Sequence, residues 1–174
     1  MYQDSRSQSP PRIILGIDPG LAHTGWGIIS QHKSSLRCIA YGCIETKASD
    51  DLPFRLKKIH DQLKLIIDKF RPSHVGIETV WFGKNVSAAF ATGQARGAAL
   101  VACAFYNLDI MEFAPREIKL AVVGEGSAEK EQVQYMVSHL LKLDHIPKPD
   151  HAADALACAL CCTTFKKMNA YLYE

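Results

Sequence analysis

Two acids stand near the ends of two short apolar runs. Asp18 closes Ile13-Ile14-Leu15-Gly16-Ile17 and is followed by Pro19-Gly20, while Glu78 lies in Val75-Gly76-Ile77-Glu78-Thr79-Val80. Near the far end of the chain, Asp150, His151 and Asp154 crowd into the opening of an alanine-rich stretch, and His151 and Asp154, three apart, share one face of a helix. Carboxylates and an imidazole offered by separate segments are a donor set for a divalent cation, and a cation held at a rim is placed for phosphate chemistry. Each residue alone reads more plainly. Asp18 suits an Asx-type turn before Pro-Gly, and Glu78 suits a carboxylate satisfied by a neighbour, because an unpaired buried acid is costly. Asp150 suits an N-cap, Asp154 a first-turn acid and His151 a surface histidine. Together, with no basic residue adjacent to either strand acid, they favour a metal site.

The elements that must position these groups follow from periodicity. Residues 13–17 are too few for a stable buried helix and end at a Pro-Gly punctuator, so they read as a central strand covered on both faces. Residues 24–30 and 36–46 read as further strands joined by the polar turn 31–35, which makes a three-stranded meander. From Leu52 the apolar period changes: Leu52, Leu56, Ile59, Leu63, Ile66, Ile67 and Phe70 mark an amphipathic helix, and Lys57, Lys58, Lys64 and Lys69 form its solvated face. Residues 85–106 form a helix rich in alanine and glycine. Gly93 and Gly97 each cost roughly 1 kcal/mol relative to alanine, which implies close approach by the sheet beneath or by a second subunit. Residues 109–113 read as an edge strand, 116–123 as a short helix and 124–126 as a loop. Ser127 is placed to cap the next helix, with Glu129 and Glu131 in its first turn. Pro147-Lys148-Pro149 resists helix until about Asp150, where the last helix starts.

At 174 residues the expectation is one domain, here 12–168, with a polar lead-in over 1–11 and a tail over 169–174. A net charge of +2 is too small to indicate nucleic-acid binding, so any basic surface must be local. No apolar run is long enough to span a bilayer, and the start does not resemble a signal peptide. Six cysteines without an export signal suit reduced thiols in a cytoplasmic protein. Cys158-x-x-Cys161 lies inside a helical stretch without the knuckle glycines of a zinc ribbon, so these cysteines read as small buried hydrophobes.

Five segments in order carry a family resemblance: Gly16-Ile17-Asp18-Pro19-Gly20, Ile77-Glu78-Thr79-Val80-Trp81, Gly93-Gln94-Ala95-Arg96-Gly97, the run 122–130 (VVGEGSAEK) and His151-Ala152-Ala153-Asp154-Ala155-Leu156-Ala157. They resemble the RuvC-type Holliday junction resolvases, from about Arg12 to Phe165. The resemblance implies an α/β, ribonuclease-H-like fold with a five-stranded mixed sheet flanked by helices. It further implies a homodimer acting on four-way junction DNA, Mg²⁺ or Mn²⁺ as cofactor, and work alongside the RuvA and RuvB branch-migration proteins. Its four-residue centre maps onto Asp18, Glu78, His151 and Asp154, with His151 standing where many members carry aspartate. Neutral imidazole suits Mn²⁺ better than Mg²⁺, and it can also serve as a general base, so ligand and base both stay open for His151.

In that scheme Asp18 bridges two ions roughly 3.5 to 4 Å apart, Glu78 holds one, and Asp154 with His151 holds the other. Lys119 and Lys130 match basic positions of the family, suited to phosphate charge in the transition state, although Lys119 reads equally well as a solvated lysine. Trp81 matches an aromatic position that could stack on an unpaired base, whereas Phe82 favours the core. Lys84, Arg96, Arg116 and Lys119 are candidates for backbone phosphates. The competing readings are an actin-like ATPase using 18–27 as a phosphate hairpin, a non-catalytic DNA-binding module, and another nuclease of the same fold.

Overall fold

A computed structural model describes residues 10–80 and 85–171, with side chains through residue 164. Trp81, Phe82 and Lys84 lie outside the described residues. The strands are β1 (Arg12–Asp18), β2 (His23–His32), β3 (Ser35–Glu45), β4 (His74–Glu78) and β5 (Asp109–Phe113). They form one sheet in the order β3-β2-β1-β4-β5, antiparallel across β3-β2-β1 and parallel across β1-β4-β5. The sheet is therefore mixed, as the resemblance implies, with β1 at its centre and β5 at an edge, as the apolar patterns predict.

Helices cover both faces. On one lie α1 (Leu52–Phe70) and α2 (Val86–Phe105), packed on Leu15, Ile17, Ile28, Val75 and Ile77. On the other lie α3 (Pro115–Val123), α4 (Lys130–Leu140) and α5 (Asp150–Tyr171), packed around Ile14, Ile29 and Phe113. The two-residue period of a strand sorts β1 accordingly: Leu15 and Ile17 face α1 and α2, whereas Ile14, Gly16 and Asp18 face α5.

What seats α5 is a floor of glycines. Gly27, Gly16 and Gly76 lie side by side on β2, β1 and β4, and Gly25 is paired with Asp18. A Cβ on Gly25 would lie 1.9 Å from the His151 carbonyl oxygen, one on Gly16 1.8 Å from that of Ala155, and one on Gly76 2.4 Å from that of Cys158. The helix backbone thus rests directly on the sheet backbone, and Ala152, Ala153, Ala155, Ala157 and Ala159 are all fully buried. Cys158, Cys161 and Cys162 are buried free thiols in the same helix. Burial pushes the Cys162 thiol up to about 12, as befits a packing residue.

One local expectation is corrected and one open choice is narrowed. Ser127 does not cap α4: its Oγ donates to Glu125 Oε1 at 2.6 Å within a turn, and the helix starts at Lys130. Glu129 takes the cap position, its N–H donating to Gln132 Oε1 at 2.7 Å. Gly93 and Gly97 do not approach the sheet either, since an added Cβ at each meets nothing within 4 Å. The alanines of α2, Ala95, Ala99 and Ala102, supply its buried face. The glycines face outward.

Candidate active site

Asp18 and Glu78 end parallel neighbours β1 and β4, two residues beyond Gly16 and Gly76, so both point to the face on which α5 lies. The first turns of α5 then hang over the ends of those strands. His151 Nδ1 lies 2.7 Å from Asp18 Oδ2, joining two segments 133 residues apart in the chain. Among the described residues one group of three metal-competent side chains forms: Asp18, His151 and Asp154, with one ligand atom from each within 4.8 Å of the others. Glu78 lies beside it, in electrostatic contact with both Asp18 and Asp154. Asp18, Glu78 and His151 line an open cleft of about 550 Å³ whose opposite wall is Asn85, Ala88 and Thr92 near the start of α2. Asn85 caps that helix, its side chain accepting from the Ala88 N–H at 3.0 Å.

The electrostatics of this corner are those of crowded acids. Burial, together with the charges of Asp18 and Asp154, pushes Glu78 up to about 7. Burial also raises Asp154, against the pull of Lys130, whose Nζ stands 3.0 Å from Asp154 Oδ2. The hydrogen bond to Asp18 raises His151 from its ordinary value. Three carboxylates and an imidazole sharing one rim, with one acid forced to retain its proton near neutrality, fit a site that a divalent cation would complete.

The remaining candidates fall into three groups. Lys130 is brought to the centre. Lys119 joins it, lining a smaller cleft of about 190 Å³ with Glu78, Lys130 and Asp154. Asp150 is held by Lys148 at 3.0 Å and Lys130 at 3.8 Å, at the edge of the site rather than within the ligand group. Arg116, on α3, borders a separate apolar hollow with Leu120 and Gly126. Arg96 is paired with Glu112 of β5 on the opposite face of the sheet. One neighbour escaped the sequence reading altogether: the ring of His23, at the start of β2, stacks on that of His151 with centroids 5.5 Å apart.

Residues 14–162 match the family described as crossover junction endodeoxyribonuclease RuvC. The chain belongs to the RuvC family. The crossover junction endodeoxyribonuclease RuvC of Heliobacterium modesticaldum is 49% identical over 150 residues, covering 86% of this chain and 93% of the relative. That of Treponema pallidum is 46% identical over 160 residues, covering 90% of this chain and 82% of the relative. Among solved structures, Thermus thermophilus RuvC in complex with Holliday junction substrate superimposes with a TM-score of 0.85 at 32% identity, covering 91% of this chain and 96% of that one. The fold is therefore the ribonuclease-H-like fold of RuvC, and the chain is a hydrolytic nuclease of that family.

Proposed function

We propose that this RuvC-family chain resolves four-way DNA junctions as a homodimer, each subunit hydrolysing one phosphodiester in strands of like polarity to leave 5′-phosphate and 3′-hydroxyl ends. The observation that carries this reading is the convergence of Asp18, Glu78, His151 and Asp154 from β1, β4 and α5 on one rim. The junction itself enters through the T. thermophilus relative, solved with that substrate. Two Mg²⁺ or Mn²⁺ ions bound there would supply an activated water and stabilise charge on the attacking and leaving oxygens. Asp18, Glu78, His151 and Asp154 would hold the ions, with Asp18 central to the group. Lys130, anchored by Asp154 and half-exposed, is suited to receive negative charge growing on the phosphate. Lys119 adds a second cation beside it.

The outer face of α2 supports the dimer. Val86, Phe90, Gly93, Gly97 and Val101 recur at helical spacing, and Phe90 and Phe105 are 65% and 68% exposed. An apolar stripe of this length is characteristic of a surface that another chain covers, and its glycines leave room for a close crossing. A two-fold pair would present two rims for two nicks. We further place this enzyme in the cytoplasm, in agreement with six cysteines none of which is in a disulfide, acting with RuvA and RuvB. No helix among the described residues is long and apolar enough to cross a membrane.

The test is cleavage of a synthetic mobile four-way junction against linear duplex, with Mg²⁺, Mn²⁺ or EDTA, for wild type and Asp18→Asn. Paired nicks that need the metal and vanish in the variant, while junction binding survives, are the expected result. Cleavage of linear or hybrid substrates alone would assign the site to another nuclease activity.

A further inference from the structure

We propose that His23 is a positioning residue for the reaction: its ring fixes the plane of the His151 imidazole, so that Nδ1 stays on Asp18 and the other ring nitrogen, Nε2, is left for the chemistry. The inference rests on the functional reading above for its kinetic consequence, but its geometric content stands separately. The two rings are within 6° of parallel at 5.5 Å, the offset arrangement that flat π-systems prefer. His23 lies outside the group of metal-competent side chains, so its contribution is a surface to lean on rather than a ligand atom.

The support is built from one strand. His23 and Gly25 are alternate residues of β2 and therefore point to the same face. Gly25 carries the backbone of His151, whose carbonyl oxygen leaves no space for a Cβ there, and His23 carries its ring. Backbone seated, ring flanked by the parallel ring of His23 and Nδ1 tied to Asp18 at 2.7 Å, His151 is constrained in three directions. A neutral imidazole that donates through Nδ1 keeps its lone pair on Nε2.

A free surface histidine would wander and support nothing. The segment before His23 is instead tied down at consecutive residues. Buried Thr24 donates its hydroxyl to the Gly20 carbonyl at 2.7 Å, and the Thr46 hydroxyl donates to the Leu21 carbonyl at 2.6 Å. The Thr46 N–H donates to the Ala22 carbonyl at 2.9 Å, and Arg55 Nε braces the Thr46 hydroxyl at 2.8 Å. The turn that leaves Asp18 thus returns to β2 along a fixed path and delivers His23 to the flank of His151. Groups that orient a site residue from outside typically change activity by about 10- to 100-fold when lost.

The deciding experiment compares His23→Ala, which deletes the ring, with His23→Phe, which keeps a flat ring without nitrogens. For junction cleavage at saturating metal, we expect His23→Ala to lower kcat about tenfold with KM for the junction unchanged, and His23→Phe to restore most of the loss. Independently of activity, long-range ¹H–¹⁵N spectra of the metal-free protein, recorded where both imidazoles are neutral, should show His151 protonated at Nδ1 in wild type and His23→Phe. The same spectra should show mixed tautomers in His23→Ala. An alanine variant with unchanged kcat and an unchanged His151 tautomer overturns the inference, as does a phenylalanine variant as impaired as alanine, which would give the His23 nitrogens a role of their own. Should wild type fail to cut junctions, the functional reading falls, and the spectra alone decide the inference.

Discussion

A carboxyl group pushed up to about 7 by burial and by the charges of Asp18 and Asp154 retains its proton where an exposed glutamate has long lost it. Because the folded value of Glu78 lies above its ordinary 4.5, the metal-free fold favours the protonated form. Its stability therefore declines as pH rises from about 4.5 towards about 7, with the full cost, about 3 kcal/mol, present above that. Glu78→Gln should accordingly raise the melting temperature of the metal-free protein by about 5 °C on the alkaline side of neutrality, and by little in acid, while abolishing cleavage. In wild type, cleavage should fall as pH drops through about 7, since Glu78 must give up its proton to bind a cation and raised His151 must be neutral to act. A flat rate across that range, read by junction cleavage at limiting Mn²⁺, where proton and cation compete for Glu78, would contradict this assignment. At this scale Asp18, Glu78, His151 and Asp154 were legible because each sits at a punctuated end of an element, where periodicity itself says that a side chain meets a rim. His23 was not, since its partner lies far along the chain and ring stacking leaves no spacing signature. The pairing of Arg96, a candidate for a backbone phosphate, was hidden for the same reason: its partner Glu112 belongs to a different element.

The glycine floor determines where α5 can lie, and so where half of the site stands. Adding a methyl group at Gly25 puts it 1.9 Å from a carbonyl oxygen of a helix packed by alanines on every side, which has no slack to absorb it. Gly25→Ala should lift the first turn of α5 off β2, cost about 1 to 3 kcal/mol in thermal or denaturant unfolding, and lower cleavage at least tenfold although no proposed ligand is changed. Preserved helix content by circular dichroism would separate that shift from global unfolding. Strand interiors and the amphipathic period of α1 could be read directly from the sequence, because apolar spacing reports the face that is buried. Gly16 and Gly76 could be read only as strand residues: a glycine inside a strand announces that something comes close, but not what. Ser127 shows the reverse failure, a good capping residue left two positions before the cap, Glu129, with its hydroxyl donating to Glu125 in the preceding turn.

For the whole molecule, the outer stripe of α2 carries the clearest test. Gly97 has open space around it in the single subunit, so a side chain there costs the monomer nothing and removes a flexible helix residue. Gly97→Leu should leave the melting temperature of the isolated subunit unchanged or slightly higher, yet yield monomers by light scattering and lose paired nicking of a junction. A dimer with full cleavage would move the interface elsewhere. The succession of strands and helices was expected from the apolar patterns and the mixed sheet flanked by helices from the family resemblance, whereas the outward direction of Gly93 and Gly97 needed the fold, because composition alone does not say which side of a helix is buried. The contact between Asp18 and His151 joins segments 133 residues apart, so it forms only late in biosynthesis. A nascent chain halted before its last helix holds Asp18 and Glu78 but neither His151 nor Asp154, so on the proposed function it should not cut DNA until the closing helix settles onto its glycines.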